Sequence, residues 1–231
     1  MFVLVGYSFN QNKLAMIWAG FSLRWYEKIF SGGGIADAVL NSMIIGVVAT
    51  AISTAAAVSA ALVLARNARF SGATLSAGLI AMPLVVPEIV TAVATLMFFV
   101  LMRSYLGFDL GLGNIILAHC VFCIPFAFMP IRARLQDMDT ALENAARDLY
   151  ANGWQAFRFV TLPILMPGVV SGAMLAFVVS FDDFIITQMI SGPGTTTLPV
   201  YIYSMIRNGI TPEVNAVSTI LIIVSTLLVT F

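Results

Sequence analysis

Leu142-Glu143-Asn144-Ala145-Ala146-Arg147-Asp148-Leu149-Tyr150, nine further residues, and then Val160-Thr161-Leu162-Pro163 form the stretch on which the reading of this chain turns. It sits in the longest polar segment, Gln136 to Arg158, which also holds Asp137 and Asp139. Leu142, Ala146 and Leu149 recur at helical spacing, which predicts a short amphipathic helix with one apolar face. Ala145 and Ala146 are small enough to let another surface approach closely. Apolar runs flank the segment on both sides, Leu112 to Ile131 before it and Val160 to Phe181 after it. A polar helix strung between two such runs belongs at the face of a membrane.

Composition agrees. Of 231 residues, 60% are hydrophobic and 10% charged, where a soluble domain carries about 25% charged residues. Mean hydropathy is +0.99. No water-soluble fold hides that much apolar surface. Lys and Arg number 11, as do Asp and Glu, so the formal net charge is zero and nucleic-acid binding is not expected. The length allows about five or six spans of roughly 20 residues. Met1 to Gly6 lacks the basic lead and the length of a cleavable signal. The final apolar run, Ala216 to Phe231, has no basic flank. Both ends read as cut, with the first and last of about six spans incomplete.

Four internal stretches are long enough to cross: about Ile35 to Ala65, Thr74 to Met102, Leu112 to Ile131 and Val160 to Phe181. Their many Ala, Gly, Ser and Thr residues suit helix packing in lipid. The pairs Pro83/Pro87 and Pro163/Pro167 predict kinks or helix starts, because proline removes a helix hydrogen bond. The chain reads as one all-α bundle, a single transmembrane domain over residues 1–231. Tyr7 to Gly34, with Trp18, Trp25 and Tyr26, suits an interfacial helix or loop. In Ser191 to Asn215, a Gly192-Pro193-Gly194 turn precedes Leu198 to Ile206, which is too short to cross. Lys13, Arg103 and Arg207 read as snorkelling interfacial charges. Arg66, Arg69, Arg132, Arg134, Arg147 and Arg158 fall on the side of the polar loop, with five basic residues opposite, a weak positive-inside signal.

The polar loop resembles the EAA loop of ABC importer permeases: Glu-Ala-Ala, three residues, Gly, nine residues, Ile-x-Leu-Pro. The spacing matches in full, while Asn144 replaces the Glu, Tyr150 the Gly and Val160 the Ile. Glu143 keeps an acid in the loop. Tyrosine is strained at positive φ, so Tyr150 is expected at ordinary negative φ, with the chain reversing nearer Asn152-Gly153. Ser180-Phe181-Asp182-Asp183-Phe184-Ile185-Ile186, Ser191-Gly192-Pro193-Gly194, Thr197-Leu198-Pro199 and Ile202-Tyr203-Ser204 are similar to spermidine/putrescine importer permeases. So are Gly209 to Ala216, Tyr7-Ser8-Phe9-Asn10, Trp18-Ala19-Gly20 and Trp25-Tyr26. The likeness covers essentially the whole chain and is nearest to the second permease of such pairs.

The resemblance implies a type I (MetI-like) permease fold in the bacterial inner membrane, with residues 136–158 as a cytoplasmic coupling loop and Ser191 to Asn215 on the periplasmic side. Implied partners are a second permease subunit forming a heterodimer, two ATP-binding ATPase subunits and a periplasmic solute-binding protein. The implied cargo is a polyamine. Coupling to the ATPase then falls to Glu143, Asn144, Ala145, Ala146, Asp148, Leu149, Tyr150, Gly153, Leu162 and Pro163. No Gly-x-x-x-x-Gly-Lys-Ser/Thr loop is present, so no catalytic site or cofactor is expected and ATP hydrolysis is assigned to a partner.

Several residues invite chemistry. Cys120-x-x-Cys123 beside His119 contains metal-binding residue types, but there is no second Cys pair and no other His. Packing is the reading for the cysteines, and no metal site is expected. Glu88, after Pro87 near the middle of its stretch, is expected to face the bundle interior or a wet cavity. Asp182 and Asp183, roughly 28 Å of helix beyond Pro163, fall near the far edge of the hydrocarbon layer. Together with Tyr201 and Tyr203, these acids are the expected solute path, carboxylates and rings replacing the water around a cation. The alternative is an ion-coupled secondary transporter of an organic cation, using the same acids for protons. An intramembrane enzyme finds no supporting motif.

Overall fold

The computed structural model describes residues 2–12, 17–31, 33–66, 72–107, 111–207 and 212–230. Lys13, Gly32, Arg69 and the stretch 209–211 lie outside the described residues. The helices, in order, are α1 (Phe2–Tyr7), α2 (Arg24–Ser31), α3 (Gly33–Arg66), α4 (Ala73–Val85), α5 (Glu88–Leu106), α6 (Leu112–Gln136), α7 (Ala141–Asp148), α8 (Gly153–Ala156), α9 (Leu162–Asp182), α10 (Ile185–Ile190), α11 (Leu198–Arg207) and α12 (Pro212–Thr230). Among the described residues, four stretches are long and apolar enough to cross a membrane: Gly34–Arg66, Glu88–Tyr105, Leu112–Gln136 and Gly153–Asp182. Large apolar side chains such as Val47, Phe98, Val121 and Val178 face outward, as a lipid-solvated surface requires. The chain divides into two compact units, residues 1–42 with 192–231, and residues 43–191.

In the first unit, α12 packs on α1, α2 and α11, and Lys28 on α2 pairs with Glu213 on α12 at 2.5 Å. The Tyr7-to-Tyr26 segment is held by one residue above all. Asn10 donates from Nδ2 to the Ile17 carbonyl at 2.8 Å and accepts from the Ala19 N–H at 3.0 Å. Its own carbonyl accepts from Trp25 Nε1 at 2.6 Å. Asn10 thereby draws the Trp18-Ala19-Gly20 motif and Trp25 together. The Gly192–Gly194 turn is tied to α3 by Asn41, whose Nδ2 donates to the Gly194 and Thr196 carbonyls, both at 3.1 Å.

In the second unit, α6 and α9 make the main packing. A Cβ added at Gly172 would lie 2.6 Å from the Ala127 carbonyl, and one at Gly168 would lie 2.8 Å from Arg134 Cβ. With the buried Ala176, these residues form a small-residue edge at four-residue spacing that lets the backbones nearly touch. Cys123 belongs to this core, its thiol donating to the Ala176 carbonyl at 3.5 Å. Both cysteines are free and buried, in keeping with packing.

The prolines act in two ways. The stretch from Thr74 to Met102 is two helices, not one kinked span. Val86 (φ −75°, ψ 132°) and Pro87 (φ −53°, ψ 133°) are extended, and α5 starts after Pro87. Proline drives its predecessor out of helical geometry, which places the break. Pro163 instead follows a π-helical turn, Phe157–Thr161, joining α8 to α9. Its ring crowds the carbonyl four residues back, and the wider turn relieves that contact.

Candidate functional site

The polar loop is built by two successive caps. Asp139 Oδ1 accepts from the Ala141 N–H at 2.8 Å, opening α7. At its other end, the Ala151 N–H reaches the Ala146 carbonyl at 3.1 Å and the Tyr150 N–H reaches that of Arg147 at 2.9 Å. This pair of bonds is a Schellman closure, with Tyr150 at the position that ordinarily takes the left-handed conformation. Tyr150 has φ 62°. The expectation of negative φ at Tyr150, with the reversal at Asn152-Gly153, is therefore corrected. Two closing hydrogen bonds hold the tyrosine where a glycine would rest without strain. Asn152 (φ −72°) instead caps α8, exchanging bonds with Gln155 at 2.8 Å each way.

Glu143 turns inward and is 7% exposed. Its Oε1 accepts from Arg66 Nη2, at the end of α3, and from the Thr161 hydroxyl in the π turn at 2.6 Å. Arg66 Nη2 also lies 3.3 Å from Thr161 Oγ1. One carboxylate thus fastens α7 to two other elements. Apolar side chains on a second face and just beyond the helix stay open: Leu142 is exposed, Leu149 is 81% exposed, Tyr150 is 96% exposed, and Trp154 follows on α8. Asn144, Ala145, Asp148, Gly153 and Pro163 are exposed, while Ala146 and Leu162 are half-buried.

The second cluster lies around the break between α9 and α10. His119 on α6 is 1% exposed. Its Nδ1 meets Ser180 Oγ at 2.8 Å. Its Nε2 meets Thr187 Oγ1 at 3.0 Å and Asp183 Oδ2 at 3.3 Å. Asp183 accepts from the Ile186 N–H at 3.3 Å, the Thr187 N–H at 2.9 Å and the Thr187 hydroxyl at 2.8 Å. Since the Thr187 proton goes to Asp183, His119 Nε2 must carry a proton. In the neutral ring, Nδ1 then accepts from Ser180. Asp183 is 6% exposed and its carboxylate satisfies the free N–H groups that open α10. Asp182 is exposed, and half-buried Glu88, at the start of α5, neighbours both aspartates. The three acids read as one path therefore divide: Asp183 is held by the protein, while Asp182 is exposed and Glu88 partly so. Tyr201 and Tyr203 stand on α11, in the other unit.

Sequence reasoning missed Arg66 and Thr161 as partners of Glu143, and His119 as the partner of Asp183. The signals were present but weak: an arginine closing a span, and a lone histidine in an apolar helix.

Residues 57–231 match the model of a family described as binding-protein-dependent transport system inner membrane component. The putrescine transport system permease protein PotI of Escherichia coli (strain K12) is 40% identical over 224 residues, covering 96% of this chain and 80% of the relative. The spermidine/putrescine transport system permease protein PotC of Haemophilus influenzae is 36% identical over 227 residues, covering 98% of this chain and 86% of the relative. Among solved structures, a bacterial ABC transporter involved in import of the acidic polysaccharide alginate matches with a TM-score of 0.73. That match is 17% identical and covers 99% of this chain and 88% of the other, a likeness of fold.

Proposed function

Because this chain belongs to the family of binding-protein-dependent transport system inner membrane components, we propose that it forms half the translocation path of an ATP-driven polyamine importer and is driven through the loop at 136–158. It is a multi-pass protein of the bacterial inner membrane and a transport permease subunit. Its partners in this reading are a second permease subunit, two ATPase subunits that hydrolyse the ATP, and a periplasmic binding protein. The putrescine and spermidine permeases among its relatives support a polyamine as solute. Membership of this family speaks against the ion-coupled secondary transporter.

One observation carries the coupling role. The α7 helix is fastened from within by Glu143 while Leu142, Leu149 and Tyr150 point away from the protein. An amphipathic helix with an open apolar face fits a groove in a separate protein. Movement of that groove is passed through Glu143 to α3 and to the start of α9. On the solute side, Glu88 and Asp182 offer carboxylates to a desolvated polyamine, whose charges are costly to bury unpaired. Asp183 and His119 hold the α9–α10 break beside them.

The test is uptake by the whole importer in proteoliposomes. Uptake should require ATP, and Leu149→Glu should abolish both uptake and solute-stimulated ATP hydrolysis while the complex still assembles. Uptake driven by an ion gradient without ATP, or full coupling in Leu149→Glu, would overturn the reading.

A further inference from the structure

Between α4 and α6 lies a cavity of about 290 Å³. On α4 it is bordered by Ala77 and Ala81, one turn apart on one face, whose small side chains keep it open. On α6 it is bordered by Phe128 and Met129, and it ends on Arg132 and Gln136 near the polar loop. The α6 wall begins at Pro125 and so runs for roughly 16 Å of helix. That is about half the 30 Å of a hydrocarbon core, the depth of one leaflet.

Charge marks the end of this groove, where one of the two arginines of α6 is left uncommitted among the described residues. Arg66 is committed to Glu143, and Arg134 donates its Nε to the Ile164 carbonyl at 3.2 Å. Arg132 has no carboxylate partner among the described residues. Its guanidinium sits 5.8 Å over the Phe128 ring, at the cavity wall. An apolar slot one leaflet deep, ending on an uncommitted guanidinium and a side-chain amide, has the shape and charge to take a phospholipid. A guanidinium binds phosphate oxygens through paired N–H donors, and basic pockets between spanning helices are suited to anionic headgroups.

We propose that this groove is an anionic phospholipid site, with one acyl chain between α4 and α6 and the phosphate on Arg132 and Gln136. The lipid pins α4 to α6 where α6 leads into the polar loop, so headgroup charge bears on coupling. Only the choice of leaflet rests on the cytoplasmic placement of that loop. Labelling a cysteine introduced at Asp139 from each side of the membrane checks that placement separately.

The experiment uses the assembled importer in phosphatidylcholine nanodiscs doped with phosphatidylglycerol bearing a photoreactive acyl chain. Mass spectrometry should find labels on the peptides covering 77–84 and 125–136. Labelling should fall several-fold in Arg132→Gln, persist in Arg132→Lys, and disappear in Ala81→Phe, whose ring fills the slot. If Ala81→Phe does not assemble, the two Arg132 variants decide. Equal labelling by a photoreactive phosphatidylcholine, or undiminished labelling of Arg132→Gln, would overturn the proposal. So would efficient cross-linking of a cysteine at position 81 to the second permease subunit, which would give the groove to that protein.

Discussion

Glu143 and Thr161 meet at 2.6 Å, carboxylate to hydroxyl, across 18 residues of chain. With Arg66 as the third member, this contact joins the polar loop to the end of α3 and to the π turn that leads into α9. Glu143→Ala strands the Arg66 guanidinium and the Thr161 hydroxyl. A charged hydrogen bond contributes about 1.5–3 kcal/mol, and the partial exposure of Arg66 lowers that toward about 1–2 kcal/mol. Thermal unfolding in detergent should show this loss, and the exchange Arg66→Glu with Glu143→Arg should recover part of it. Equal stability of Glu143→Ala and wild type would remove the clamp from the account.

Tyr150 carries opposite consequences for stability and for coupling. Its left-handed backbone costs about 1–2 kcal/mol relative to glycine. Tyr150→Gly should therefore slow hydrogen exchange at the Ala151 amide in the free subunit. The same change deletes the most exposed aromatic ring of the loop and should weaken binding of the ATPase subunits, read by titration in detergent. Tyr150→Val should lower both, since a β-branched residue tolerates this φ poorly.

The glycines separate into two kinds. A methyl at Gly172 would fall 2.6 Å from a backbone carbonyl that has no way to yield, whereas one at Gly78 meets nothing within 4 Å. Gly172→Ala should sharply reduce the yield of folded, monodisperse protein. Gly78→Ala should be neutral or stabilising by up to about 1 kcal/mol through helix propensity. Melting temperatures of the two variants check the contrast.

Adjacent aspartates should behave differently. Asp182→Asn leaves an exposed position intact and should lower polyamine uptake without changing the melting temperature. Asp183→Asn replaces one of its two acceptor oxygens with an NH2 donor, so the Ile186 N–H on Oδ1 and the Thr187 and His119 donors on Oδ2 can no longer all be satisfied. It should destabilise by about 1–3 kcal/mol, as should His119→Leu. Matching losses of stability in both aspartate variants would contradict the division of roles.

The spans and the loop spacing were legible because they are properties of neighbouring residues: apolar length, proline position and helical period. Tyr150 was misjudged for the same reason. A steric rule for one residue gave negative φ, but bonds to the Ala146 and Arg147 carbonyls outweighed it. The distant partners of Glu143 and of Asp183 left only the faint signals of an arginine closing a span and a lone histidine. Arg66 lies 77 residues before Glu143, and His119 sits on α6, a whole span away from the Asp183 it meets, separations that no local pattern pairs. The polar loop was recognised as a surface helix, yet nothing in its own residues told which acid would turn inward.

From Gly153 to Asp182 the chain remains helical for 30 residues, a rod of roughly 45 Å. A tilt of about 5° pivoted at the loop would swing the far end by roughly 4 Å, more than a hydrogen bond survives. The Ser180–His119 contact sits close to that far end, and Gly172 leaves no slack against α6 along the way. The two helices are thereby geared together, so that, if the loop is driven as proposed, a slight push on it would reach, magnified, the ground between Glu88 and Asp182.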